Sequence, residues 1–349
     1  MKTMPSSSSP AGTVLVLGGR GRLGLAAVQA FARDGWRVLA QMRPGAQAPT
    51  VAGVQWLAQA VDTPQAVADL VARVRQAGGA TVVVHALNPN QYTRPAWERE
   101  NGPLLQSGMA VARALAATLM LPGNVYNFGQ GMPAVLLEGA PYRPTMAMGR
   151  VRTEMEERLE AATQRGELRA VIVRAGNFYG QGQGTWLDRA MLTGIRRGKL
   201  VFPGPLDVAH ALGLPARPGA DLRRPGACAR DPARVRVAAL QRPHAHGPRL
   251  GECPAATGPR ARLAARERGA ARGWHALAAD PRARPGMPTL GALAALRYLW
   301  NQTHRLDNRR LRERIGSEPH TPWPQALEHT LQGLALLGAE GVTALPARA

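Results

Sequence analysis

Three glycines at a spacing of three residues are the first feature of this sequence whose residue types could do chemistry. Gly18, Gly21 and Gly24 directly follow the apolar run Thr13–Leu17, and a helical pattern of apolar residues follows them. The glycines permit a sharp turn, close approach of the backbone to a pyrophosphate, and close packing of the helix on the strand. Because a helix N-terminus also presents unpaired N–H groups, the pattern predicts a dinucleotide site, against a plain glycine-rich turn.

The second predicted strand decides which dinucleotide is expected. The stretch from Gly35 to Arg43 reads as a turn and a strand, and an acid near the end of such a strand binds the ribose hydroxyls of NAD. Arg43 stands there instead and could pair with a 2′-phosphate, with Arg20 and Arg22 of the glycine loop as helpers. We therefore predict NADP, with NAD as the alternative and a solvated surface arginine as the plainer interpretation of Arg43.

The elements that must position these residues alternate between strand and helix. Apolar runs predict further strands at 54–57, 81–86, 118–121 and 168–174, and helical patterns fall at 63–76, 103–115 and 149–163. This alternation predicts an α/β fold with a doubly wound parallel sheet, Rossmann-like, and a smaller C-terminal substrate lobe. Ligands bind beyond the carboxyl ends of such strands. Tyr126 follows the fifth strand there and is a candidate acid/base, although a core or rim aromatic is the plainer interpretation.

Several motifs together point to one family. They are the G-x-x-G-x-x-G loop, the spaced Glu138, Pro141 and Pro144, the run Arg174–Gly180 after the sixth strand, and a C-terminal segment from Tyr298 to Leu311. With them the chain resembles the extended or atypical short-chain dehydrogenase/reductase superfamily, of the NAD-dependent epimerase/dehydratase type. The resemblance covers about residues 12–210 and 287–335.

The resemblance implies a set of cofactor contacts and a homodimer formed through two helices that flank the sheet. In it, Asp62 accepts a hydrogen bond from the adenine amino group, Ala86 and Leu87 line the path to the nicotinamide, and Arg152 and Asn177 lie near the nicotinamide. The complete set of implied cofactor residues is Gly18, Arg20, Gly21, Arg22, Leu23, Gly24, Arg43, Asp62, Ala86, Leu87, Asn124 and Asn177.

The sequence departs from the family at the residues that do its chemistry. Met148 stands where a Tyr is expected and cannot transfer a proton, and Arg152 stands for the Lys and stays protonated. The place of the Ser reads Gly123-Asn124. Three interpretations stay open. In the first, Arg152 holds the ribose while Tyr126, His85 or a substrate group supplies the proton. In the second, the protein binds NADP without turnover. In the third, the substrate is activated in an unrecognised way. For His85, a packed or cofactor-lining histidine is the plainer interpretation.

The segment from Ala211 to Gly286 has an unusual composition. It contains 15 Arg and 5 acidic residues but no Ile, Phe, Tyr, Asn, Ser, Met or Lys. An Arg/Pro/Ala-rich disordered insert is the plainer interpretation. The genetic code also allows three stretches of this segment to encode family-like text when they are read one base later. We therefore predict a double frameshift here, with a poorly ordered stretch and an incomplete substrate pocket.

Bulk composition restricts the function classes. The net charge of +21 comes almost entirely from arginine, since only Lys2 and Lys199 are lysines, and no aromatic-interleaved basic face supports nucleic-acid binding. Two cysteines give no disulfide or zinc pattern, no metal site is expected, and no apolar run is long enough for a membrane span. The first apolar run reads as a core strand and not as a signal peptide, so a cytoplasmic protein is expected.

The sequence thus predicts four parts and one function. The parts are a disordered N-terminus at 1–11, a dinucleotide-binding domain at 12–210, the segment with the predicted frameshift at 211–286 and the helical part of the substrate lobe at 287–349. The predicted function is that of an NAD(P)-binding oxidoreductase or epimerase acting on a small carbonyl or sugar-type substrate. Tyr126 and Arg152 are its catalytic candidates. The alternative is a non-catalytic, NADP-sensing regulatory protein of the same fold.

Overall fold

A parallel sheet is the central layer of the protein. The computed structural model describes residues 11–178, 236–240 and 295–316, with short pieces at 185, 188, 191–192, 204–205, 208, 212–213, 328 and 330–334. The strands of the sheet are β1 (Thr13–Leu17), β2 (Arg37–Met42), β3 (Val54–Ala58), β4 (Val82–His85), β5 (Thr118–Gly123), β7 (Arg169–Ala175) and β10 (Arg236–Leu240). Two smaller strand pairs join β6 (Val135–Leu136) to β11 (Arg305–Leu306) and β8 (Asn177–Phe178) to β9 (Leu212–Gly213).

The order of the strands identifies where a ligand would bind. Across the described sheet it is β10-β7-β5-β4-β1-β2-β3, so the chain moves outward in one direction from β1 to β3 and in the other from β4 onward. β1 is paired in parallel with β2 and β4, and Leu17 lies opposite His85. A crevice forms at such a reversal, at the carboxyl ends of the strands. The predicted doubly wound parallel sheet is confirmed.

Helices connect the strands and cover the sheet. They are α1 (Arg22–Arg33), α2 (Pro64–Gln76), α3 (Arg94–Ala114), α4 (Ala147–Gln164) and α5 (Arg309–Ile315). Thr63 caps α2 as the sequence predicts, since its hydroxyl accepts a hydrogen bond from the Ala66 N–H at 3.1 Å. α3 begins well before the predicted residue 103, because Thr93 caps it in the same way and Pro103 is accommodated inside the helix.

The core lies on both faces of the sheet because alternate residues of each strand point in opposite directions. One face buries Leu15 and Leu17 of β1 with side chains of α2, α3 and α4. The other face buries Val14 and Val16 against α1, where Phe31 packs edge-on against Trp36 at 5.2 Å between ring centroids. β1, in the middle of the sheet, is therefore held in place from two sides up to its carboxyl end.

The C-terminal part packs on the same core. The core on the Leu15 and Leu17 face of the sheet also buries Leu296, Leu299 and Trp300. The Gln302 side chain forms hydrogen bonds with the backbone of Gly131 and Met132. Within the predicted frameshifted segment, the structure describes only β9 and β10, the latter in register with β7 over five residues. The rest of that segment and residues 1–10 lie outside the described residues. The frameshift and the four-part division stay predictions.

Candidate active site

A cavity of about 850 Å³ lies at the carboxyl edge of the sheet, where the strand order reverses. Its walls come from the glycine loop, the ends of β2, β4, β5 and β7, and one side of α3 and α4. All the residues predicted to bind cofactor or to act in catalysis line it except Gly24. The sequence therefore predicts the members of one continuous cavity from residues that lie far apart in the chain.

The glycine loop is shaped for close approach of main chain to main chain. Gly18 has φ of +72°, and a Cβ there would lie 2.8 Å from the Ala86 carbonyl oxygen. A Cβ on Gly24 would lie 2.1 Å from the Gly18 oxygen, so Gly24 does not line the cavity but allows α1 to start against the loop. No side chain caps α1 and no acid lies in its first turn, which leaves its N-terminus suited to an anion.

The end of β2 is occupied by a glutamine that sequence reasoning overlooked as a functional residue. The Gln41 side chain is buried, accepts a hydrogen bond from the Gly18 N–H at 2.9 Å and donates one to the Gln59 carbonyl at 2.5 Å. It therefore fixes the loop and leaves this part of the cavity without a carboxylate from β2. Arg43 lies just beyond, exposed, and donates to Asn90 at 2.8 Å.

The other basic residues of the loop differ in their surroundings. Arg20 is exposed, whereas Arg22 is partly buried, and both line the cavity. Burial lowers the pKa of Arg22 to about 10, with Asp188 acting in the opposite direction, so Arg22 remains a cation at neutral pH. Asp62 is exposed at the cavity wall after β3. The end of the cavity at the glycine loop thus combines the N-terminus of α1 with solvent-accessible charge.

Two tyrosines meet at the opposite end of the cavity. The hydroxyls of Tyr126 and Tyr92 lie 2.9 Å apart, and the Tyr126 ring lies 6.2 Å from that of Trp97. The Asn124 side chain accepts a hydrogen bond from the Tyr126 N–H at 3.0 Å, so it shapes the turn that presents the phenol. Burial raises the pKa of Tyr126, while the bond to Tyr92 and the charge of Arg152 act against that rise. Tyr126 is therefore protonated at neutral pH.

Arg152 projects from α4 to the same end of the cavity and is only 8% exposed. Its guanidinium donates to the Pro122 carbonyl and contacts the Met155 sulfur at 3.8 Å, while Nε has no hydrogen-bond partner in the part of the chain that the structure describes. Burial lowers the pKa of Arg152, with Glu156 opposing this effect. Met148, which occupies the expected Tyr position on the same helix, is buried in the core and does not line the cavity.

A buried ion pair lies behind this end of the cavity, and sequence reasoning did not identify it. Arg174 and Glu156 are 2% and 1% exposed and form a salt bridge between β7 and α4. Tyr142 donates to Glu156 at 2.6 Å, and Arg174 also bonds to the Asn124 carbonyl. The Arg174 guanidinium lies 5.1 Å from the centre of the Phe128 ring. No local pattern of the sequence links Glu156 to Arg174, which lies 18 residues further along the chain.

His85 lies between the two ends of the cavity and behaves as a packed residue. It is 2% exposed, and its Nε2 lies 3.0 Å from the Leu104 carbonyl. A Cβ on Gly108 would approach the His85 ring to 2.3 Å, so α3 packs directly on the imidazole. Burial lowers the pKa of His85, which keeps it neutral, and it donates its Nε2 proton to Leu104. Asn177 is also buried at the cavity wall, and its Nδ2 has no hydrogen-bond partner among the described residues.

None of the described helices has the length and hydrophobicity to cross a membrane. In the same part of the chain, no three His, Cys, Asp or Glu side chains are grouped so that they could bind a metal ion.

Comparison with known proteins gives a family and a set of similar folds. The sequence model of the NAD dependent epimerase/dehydratase family matches residues 14–249. No curated protein sequence matches significantly. UDP-glucose 4-epimerase from Thermotoga maritima with UDP-glucose shares 15% identity over 93% of this chain and 98% of that one, with a TM-score of 0.62.

Two further solved structures have a similar fold. WbmG from Bordetella bronchiseptica in complex with NAD has 15% identity and a TM-score of 0.58, over 95% of this chain and 96% of that one. MoeE5 in complex with UDP-glucuronic acid and NAD has 14% identity and a TM-score of 0.60, over 93% of this chain and 99% of that one. At these identities the comparison establishes the fold alone.

Proposed function

Because the chain belongs to the NAD-dependent epimerase/dehydratase family, we propose that it oxidises or reduces a small carbonyl or sugar-type substrate with a nicotinamide dinucleotide. The observation that carries this proposal is the single cavity with the glycine loop at one end and Tyr126 and Arg152 at the other. A pyrophosphate at the loop therefore leaves room in the same cavity for a substrate beside the phenol. The sugar nucleotides bound by two of the similar structures favour a sugar-type substrate.

The residues at the loop fit such a cofactor. Gly18 and Gly24 allow the tight loop that brings the N-terminus of α1 to the cavity, and the first turn of that helix contains no acidic residue. We assign the 2′-phosphate to Arg43, with Arg20 and Arg22 nearby, so NADP is the proposed cofactor and NAD the alternative. Asp62 is assigned to the adenine, Ala86 and Leu87 to the path between the adenine and the nicotinamide, and Asn177 to the nicotinamide. Asn124 is a further proposed cofactor contact.

The chemistry at the other end needs a proton as well as a hydride. The bound nicotinamide supplies or accepts the hydride. Tyr126 donates the proton to the carbonyl oxygen in the direction of reduction, since burial keeps its phenol protonated. The phenolate that remains is stabilised by the Arg152 charge and by a hydrogen bond from Tyr92. Arg152 acts through its charge alone, because an arginine does not release its proton at neutral pH.

Removal of the Tyr126 hydroxyl tests this role. In Tyr126→Phe we expect kcat/KM for NADPH-dependent reduction of a carbonyl panel to fall by roughly 10²- to 10⁴-fold, the usual share of a general acid, with NADPH affinity unchanged. The measurements are NADPH oxidation in the steady state and fluorescence titration of NADPH. Tyr298→Phe is the matched control, because it removes a hydroxyl without a hydrogen-bond partner among the described residues and lies outside the cavity lining.

The second candidate is a non-catalytic, NADP-sensing protein. The observation that favours it is Met148, which occupies the expected Tyr position and is packed into the core. Both candidates predict tight NADPH binding, so only turnover separates them. Tight binding with no turnover on the whole panel would support the sensor, whereas equal turnover in Tyr126→Phe and wild type would exclude Tyr126 as the proton donor.

A further inference from the structure

Arg152 is a buried cation that no described carboxylate neutralises. Among the described residues, its only hydrogen-bonding contacts are the Pro122 carbonyl and the Met155 sulfur, and Nε has no partner there. The residue is more than nine-tenths buried and yet lines the cavity. A buried charge without a partner is unfavourable by several kcal/mol, since burial removes its hydration. An arginine in this state is suited to a ligand that brings the opposite charge.

The carboxylates near Arg152 are already engaged. Glu156 lies one helical turn away, but Arg174 and Tyr142 bond to it. Of the two carboxylates in the cavity lining, Glu100 pairs with Arg99 at 2.5 Å, and Asp62 is exposed in the loop after β3.

The other titratable groups at this end do not supply a negative charge. Tyr126 and Tyr92 form a hydroxyl pair, and Tyr126 is protonated at neutral pH. His85 is neutral. Among the described residues, Arg152 and Arg174 therefore face a single engaged carboxylate, and one positive charge remains at the cavity wall beside Tyr126.

We infer that the substrate carries a carboxylate and that Arg152 binds it next to the carbonyl group to which Tyr126 donates its proton. This inference rests on the proposed function and narrows its substrate to oxo acids and uronic-acid-type sugars. The planar guanidinium matches a planar carboxylate, and the Nε–H is available as a donor. The ribose hydroxyls of a cofactor could accept the same hydrogen bond but would leave the charge uncompensated.

Matched pairs of small molecules test the inference. The pairs are pyruvate with acetone, D-glucuronate with D-glucose, and UDP-glucuronic acid with UDP-glucose, and each pair differs by one carboxylate. Their binding to the full chain is measured by ligand-observed NMR, with and without NADPH. For at least one pair we expect the carboxylate to bind roughly 10- to 100-fold more tightly, as a charged hydrogen bond would give. In Arg152→Gln we expect this preference to be lost.

Two further variants control for charge and for folding. Arg150→Gln removes an exposed positive charge from the same turn of α4 and should keep the preference. Arg152→Lys keeps the charge without the planar guanidinium and should give an intermediate preference for the carboxylate. If Arg152→Gln does not fold, Arg152→Lys tests the inference in its place. The melting temperature of each variant is recorded alongside.

Three results would overturn the inference. They are equal binding within every pair, a preference that persists in Arg152→Gln, and no measurable binding of any of the carboxylates. If Arg152→Gln weakens NADPH binding and leaves the carboxylate preference intact, Arg152 contacts the cofactor ribose and the inference is wrong. NADPH affinity is measured separately, so a failure of the cofactor site is distinguished from a failure of this inference.

Discussion

The two ends of the cavity are built by different means. At the proposed cofactor end, the shape of the main chain forms the site, because Gly18 and Gly24 allow backbone segments to approach closely. The charged side chains nearby are largely exposed. At the reaction end, Arg152, Arg174 and Glu156 are buried side chains from α4 and β7. A change of charge should therefore alter ligand choice at the first end and the stability of the fold at the second.

Glu156→Gln should have the largest effect. It removes the carboxylate that pairs with the buried Arg174, and breaking a buried pair from one side typically lowers the free energy of unfolding by about 3–5 kcal/mol. Urea unfolding followed by circular dichroism measures the loss. Glu157→Gln is the matched control, since it removes an exposed charge from the next position of the same helix. Equal losses in the two variants would show that the reaction end does not depend on buried charge.

The cofactor end could be predicted from sequence because its function depends on local geometry. Glycine spacing, the preceding strand and the start of α1 are all contiguous in the chain, and the structure places the loop at the reversal of strand order. Gln41 was not predicted as a functional residue, since its bond to Gly18 joins positions 23 residues apart. A residue type alone does not show which backbone group its side chain reaches.

The reaction end could be predicted only in part. Tyr126 was predicted from its place after β5 and Arg152 from the position of the family's Lys, and both line the cavity. Tyr92 was not predicted, because its hydroxyl reaches Tyr126 from another loop. The early start of α3 was missed because Pro103 resembled a helix start and Thr93 was the true cap. The pairing of Arg174 with Glu156 depends on how α4 packs on the sheet, which periodicity does not determine.

Arg43→Asp should give an intermediate effect at the cofactor end. A hydrogen bond to a charged group contributes about 1.5–3 kcal/mol, so we expect NADPH affinity to fall by roughly 10- to 150-fold while NADH affinity is kept. Fluorescence titration of both dinucleotides measures the change in preference. Arg37→Asp, at the exposed start of the same strand, is the matched control. An unchanged preference in Arg43→Asp would end the assignment of the 2′-phosphate to this residue.

The smallest effect is expected at His85, which lies where the two ends meet. Burial lowers its pKa below the ordinary value of 6.5, so the unfolded chain binds the extra proton first as the pH falls. The unfolded state then holds more protons than the folded state, and stability must fall with decreasing pH below about 6.5. One such group contributes at most about 1.4 kcal/mol per pH unit. Urea unfolding between about pH 8 and pH 5 measures this slope.

His85→Gln isolates the contribution of this ring, because glutamine keeps a donor for the Leu104 carbonyl and does not titrate. Its stability should fall less steeply than that of the wild type below pH 6.5, and His304, whose pKa burial also lowers, accounts for part of the remaining slope. Parallel curves would mean that, as the pH falls below 6.5, His85 binds a proton in the folded protein as readily as in the unfolded chain. The reaction end would then hold a further buried cation near Arg152, and its need for an anionic partner would be greater still.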